Sequence, residues 1–211
     1  MPGAWPDKAC AVVIGAPVCA ALVLALCGCG SSAPRPSTTS SAVPADLLAQ
    51  ARPIGRGARF HPPATGPVVG TCKSKLGARI GAHVELFAAN RVVLIAAGIG
   101  TRPPIRYSAG RIASARCYGD LVTLEPTGVV LVRRGARLTL SDLFQSWGQP
   151  LSEHRLASFS AAPGQSVRVF VNGRPRSGAP GAVPLGAHSE IVLEVGPRVP
   201  PHASYTFPPG T

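Results

Sequence analysis

Proline and glycine interrupt this chain throughout its length, with 23 prolines and 24 glycines among 211 residues. Proline lacks a backbone N–H and clashes inside a helix, and glycine loses the most entropy on ordering, so such a chain folds into short strands and many turns. A helical bundle is excluded. So is a multi-span membrane protein, because only Cys10 to Leu26 is continuously apolar. Val, Leu, Ile and Ala are plentiful enough for one hydrophobic core, although aromatics make up only 5%.

The apolar run has the length and flanks of an export signal. Lys8 precedes it, Pro17 interrupts it and small residues follow it, whereas a spanning helix needs about 20 apolar residues. The next residues, Leu26-Cys27-Gly28-Cys29-Gly30-Ser31-Ser32, resemble the lipobox of bacterial lipoproteins. That resemblance implies cleavage before Cys29, with a diacylglycerol thioether on its sulfur. Cleavage before Cys27 is the alternative, but it sets the bulky Leu26 where a small side chain is preferred. Composition thus divides the chain into a lipoprotein signal peptide (1–28), a lipidated, Pro/Ser/Ala/Gly-rich tether (29–66) and one domain (67–211). The Ser/Thr/Pro/Ala run from Gly30 to Pro44 is too poor in apolar mass to offset its ordering entropy, and is expected to be disordered.

Of six cysteines, Cys10, Cys19 and Cys27 belong to the leader and Cys29 to the anchor. Cys72 and Cys117 remain, and in an exported chain such a pair is expected to form a disulfide rather than a metal pair. The formal net charge is +12, with only three lysines (Lys8, Lys73, Lys75) among 21 cations. Such a domain is expected to be drawn to anionic lipid headgroups or acidic wall polymers. Nucleic acid is not an expected partner, because the leader places the domain outside the cytoplasm and no aromatic-rich basic platform is visible.

Along the domain, His83 to Ala88 and Val92 to Ala96 read as strands around a turn at Ala89-Asn90-Arg91, stopped by Gly98-Ile99-Gly100 and then Pro103 and Pro104. Asp120 to Leu124 and Val129 to Arg133 flank Pro126-Thr127-Gly128 as a hairpin. One helix starts near Thr139. Thr139 and Asp142 have capping-box spacing, Leu140, Leu143, Phe144 and Trp147 share one face, and Gly148 and Pro150 end it. Val167 to Val171 enters a turn at Asn172-Gly173, and Ile191 to Val195 alternates as a last, half-buried strand. A proline-rich tail is expected to pack Tyr205 and Phe207 as an extended strap. The fold class is α+β, mainly β, with hairpins packed on one principal short helix.

No catalytic constellation accompanies these elements. Nucleophile elbow, His-Glu-x-x-His, Ser-x-x-Lys and P-loop are all absent, and Gly98-Ile99-Gly100 is an incomplete nucleotide motif. The acids read as strand-edge and capping groups, and the five histidines never stand at chelate spacing. No enzyme activity, cofactor or metal is expected. The alternative is a metal-binding or redox-related exported protein using His83 and His188, with help from Glu190 or the cysteines.

Several segments in order, namely His83-Val84-Glu85-Leu86-Phe87, Ala97-Gly98-Ile99-Gly100, Cys117-Tyr118, Pro126-Thr127-Gly128, Leu138 to Phe144 with Trp147-Gly148, Val169 to Gly173, His188 to Ile191 and Tyr205 to Pro208, resemble an uncharacterised family of exported actinobacterial proteins. The resemblance spans nearly all of Cys72 to Pro208 and implies the fold and the export. It also implies closely spaced histidines near the central cysteine, suggestive of a metal or acid-base site. Val122, Leu124 and Leu131 occupy those places here, and only His83 and His188 remain. An apolar side chain neither coordinates nor relays a proton, so the expected role is a non-catalytic binding or structural one. The expected location is the outer face of the cytoplasmic membrane.

Overall fold

The computed structural model describes residues 51–211. The expected signal peptide, Cys27, Cys29 and the expected tether up to residue 50 lie outside the described residues. What is described is mostly β-sheet with one short α-helix.

The organising strand is β1 (Arg79–Ala88), whose even-numbered residues Ala82, Val84, Leu86 and Ala88 enter the main core. Along one edge it pairs in parallel with β12 (Glu190–Val195), in the register His83↔Glu190 to Ala88↔Val195. Its other edge takes β6 (Val129–Arg133) and then the two-residue β2 (Arg91–Val92), both antiparallel. Beyond β6 lies β5 (Leu121–Val122), and beyond β12 lie β10 (Arg168–Val171) and β11 (Arg174–Arg176). The turns between paired strands follow the local sequence. Asn90 and Asn172 adopt φ of 58° and 52°, the left-handed region that asparagine tolerates better than most residues.

Helix α1 (Leu140–Trp147) covers one face of this sheet. Both the Thr139 N–H and its hydroxyl donate to Asp142 Oδ2, and the N–H of the left-handed Gly148 closes the last turn on Gln145 and Phe144. Leu140, Leu143, Phe144 and Trp147 are buried against Val84, Leu86, Ile191 and Leu193. The helix and most of the strand pairs are where the residue pattern placed them.

Four features differ from the sequence expectations. The last strand was expected to be half-buried, yet all six residues of β12 are buried, because the tail crosses its second face. Pro103 and Pro104 lie inside a strand that was not expected. A two-stranded hairpin, β3 (Thr101–Ser108) and β4 (Arg111–Tyr118), runs through them, and they fall in a register shift between Arg102 and Ile105 where no ladder N–H is required. Short strands β7 (Leu151–Ser152), β8 (Arg155–Leu156) and β9 (Phe159–Ser160) make a small third sheet.

Residues 51–66, assigned by composition to the tether, belong to the domain. Gly55 donates to the Val92 carbonyl, Leu94 donates to that of Phe60, and the Phe60 ring meets Phe159 at 4.8 Å. Trp147 Nε1 donates to the Pro62 carbonyl at 3.1 Å, and the Thr65 N–H to that of Trp147 at 3.0 Å. Gly66 crosses the helix end so closely that a Cβ there would lie 2.1 Å from the Gln145 carbonyl oxygen. Few apolar residues are needed when backbone groups dock directly.

Arg79 is 6% exposed and serves as an internal clasp, a role no motif announced. It donates to the carbonyls of Leu76, Gly119, Asp120 and Leu131. Burial, with Arg133 nearby, lowers its pKa to about 10, so it stays cationic at neutral pH. Replacing it with methionine strands several buried carbonyls and is expected to cost about 3 kcal/mol or more in chemical denaturation. A loss below about 1 kcal/mol would mean that water replaces the guanidinium without penalty.

Candidate functional site

The face of β1 opposite the helix carries His83, Glu85 and Phe87, because strand residues two apart point the same way. The parallel register sets Glu190 of β12 beside His83. His83 Nδ1 and Glu190 Oε2 are 2.7 Å apart, in a pair whose members are 5% and 1% exposed. His83 Nε2 donates to the Thr127 carbonyl at 2.9 Å. A carbonyl only accepts, so Nε2 carries a proton, and one more is shared between Nδ1 and Glu190. With the proton on either partner the pair is neutral overall.

The tail closes the site. Tyr205 stacks on the His83 ring at 3.7 Å with the planes 11° apart, and His202 Nδ1 lies 2.6 Å from Glu85 Oε2. Burial pushes the Glu190 carboxyl above its usual pKa, the His83 bond opposes this, and Glu85 adds repulsion. Tyr205 is also raised, first by burial and then by Glu125, Glu190 and Glu85. Glu190 Oε1 is buried with no hydrogen-bond partner. One ligand atom each from His83, Glu85 and Glu190 lies within 4.8 Å of the others.

His188, paired with His83 in the sequence reading, does not join this group. It lies under the same strap, packed on Phe207 at 4.9 Å, but its Nε2 donates to the Thr211 carbonyl at 2.7 Å and its side chain faces solvent. The cysteines are engaged elsewhere. Cys72 and Cys117 form a disulfide with Cα atoms 5.3 Å apart, tying the segment before β1 to β4. Val122, Leu124 and Leu131 pack together in a small apolar cluster with Ile112 and Tyr118.

Sequence reasoning treated Glu190 and Glu194 as edge groups, whereas both are buried, Glu194 beside Arg168. A signal was present: acids inside an otherwise apolar strand, and His83 and Glu85 two apart in another. The partnership with His202 left no local trace.

Two cationic surfaces lie apart from this site. The β3–β4 hairpin exposes Arg102, Arg106, Arg111 and Arg116, with Tyr107 63% exposed near its tip. Beside β10 and β11 a groove of about 520 Å³ is lined by Arg168, Arg176 and Arg198. No helix among the described residues is long and apolar enough to cross a membrane. No protein-family model, curated protein or solved structure matches this chain. The geometry itself defines the class: a disulfide-tied β domain whose buried His–Glu pair has both ring nitrogens engaged.

Proposed function

We propose that the chain is a cell-envelope lipoprotein, anchored through Cys29 at the outer face of the cytoplasmic membrane. Its domain acts there as a non-catalytic module that binds or organises anionic material, either lipid headgroups or acidic wall polymers. The observation that carries this reading is Leu26-Cys27-Gly28-Cys29 behind a short apolar run preceded by a lysine. Two acyl chains hold a protein on a bilayer far longer than one. The Cys72–Cys117 disulfide supports an oxidising compartment, and the arginines of the β3–β4 hairpin and the groove support an anionic partner. A histidine with both nitrogens bonded and a tyrosine over its ring favours a holding role over proton transfer to a substrate.

Detergent phase separation of the expressed full chain tests the anchor. The unaltered protein is expected in the detergent phase with a lipid adduct at Cys29, and the Cys29→Ala variant in the aqueous phase. Aqueous partitioning of both, or an intact chain without adduct by mass spectrometry, would overturn the reading.

A further inference from the structure

We infer that His83, Glu85 and Glu190 form a binding site for one divalent first-row transition ion of the zinc class, with His202 holding Glu85 in place. The anchoring proposal plays no part in this inference, so either can fail alone.

The donor geometry is the first ground. Zinc bonds to imidazole nitrogen and carboxylate oxygen at about 2.0–2.2 Å, so ligand atoms around it stand roughly 3.4 Å apart in a tetrahedron. His83, Glu85 and Glu190 present their atoms within 4.8 Å of one another, leaving on the order of 1 Å of side-chain adjustment. All three come from adjacent strands of one sheet, which limits their drift.

The orientation of His83 is the second. A metal-bound histidine characteristically donates its other ring N–H to a carbonyl or carboxylate, which fixes the tautomer. The Nε2–H bond to Thr127 does this already and leaves Nδ1 facing the Glu190 carboxylate. Similarly, His202 holds Glu85 from outside at 2.6 Å.

The third ground is independent of the cluster's own hydrogen bonds. Glu190 is 1% exposed, and its Oε1 is buried without any partner. A bare carboxylate oxygen in a buried setting is costly, and a cation bound there would remove the cost. On binding, the proton shared by Nδ1 and Oε2 leaves to solvent, and the ion takes Nδ1 and the Glu190 carboxylate, giving Oε1 the partner it lacks.

The chemistry of the donors narrows the choice of ion. The mixed imidazole and carboxylate set favours a first-row ion over Mg²⁺ or Ca²⁺, which take oxygen ligands.

The test is equilibrium dialysis of the chelator-stripped, tag-free full chain in detergent against ZnCl₂, with bound metal measured by mass spectrometry. About one ion per chain is expected, and Glu190→Gln and Glu85→Gln should each weaken binding roughly tenfold or more. Glutamine at 190 still donates to Nδ1, which keeps the apo pairing. Glu85 is only half-buried, which makes its variant the safer probe of binding in a folded chain. Circular dichroism without zinc should be unchanged in both. Absence of saturable uptake by the folded unaltered protein, or uptake undiminished in a folded Glu85→Gln chain, would overturn the inference.

Discussion

Replacing both Cys72 and Cys117 with serine is expected to lower the unfolding free energy by about 4 kcal/mol. The bridge spans 45 residues, a loop that includes β1, β2, β3 and most of β4. Closing it restricts the unfolded chain far more than the folded one. Cys72 itself is exposed, so the serines open no cavity and the loss arises in the unfolded ensemble. The folded-state contacts beside the bridge survive, including the reciprocal Lys73–Tyr118 backbone pair. Urea titration of the double variant and of the reduced unaltered protein should therefore give the same midpoint, well below that of the oxidised protein. A difference under about 1 kcal/mol would show that the denatured chain is already compact around these cysteines. Against a typical net stability of about 5–15 kcal/mol, this single constraint is a large share.

Trp147→Ala is expected to cost about 4–5 kcal/mol. The side chain is fully buried at the end of α1, in contact with Phe144 at a ring separation of 5.7 Å, and it is among the largest in the core. Its Nε1 also holds the Pro62 carbonyl. Truncation leaves a void and an unpaired acceptor together. Trp147→Phe keeps one six-membered ring, so it loses the same donor with a much smaller void, and is expected to cost about 1–3 kcal/mol. The same variants should expose residues 51–66 to proteolysis before the domain unfolds, because that segment is fastened largely through backbone bonds to the helix end and to residues 92 and 94. Protection equal to that of the unaltered chain would mean that Phe60 and its contact with Phe159 suffice to hold it.

The helix was legible because its start and stop lie within a few residues of each other. Thr139, Asp142 and Gly148 declare the ends, and four apolar residues declare the buried face. Hairpin turns were legible for the same reason at Asn172-Gly173. The β3–β4 hairpin was not, because two prolines forbid a regular ladder and only the paired strand opposite shows that a bulge absorbs them. Nor was the docking of residues 51–66, which rests on backbone groups that composition does not reveal.

What the residues determined by themselves is local: caps, turns, strand periodicity and the availability of one cysteine pair in the domain. Each is encoded within one element or by the count of a reactive side chain. The candidate site was decided only by tertiary structure. His83 and Glu190 stand 107 residues apart, and a parallel pairing between the strands that carry them has no connecting turn to set its register. Packing of Val84, Leu86, Ile191 and Leu193 under α1 sets that register, and it brings the histidine and the acid together on the opposite face. The strap then buries them, which turns two ordinary polar residues into a neutral pair with one oxygen still seeking a partner.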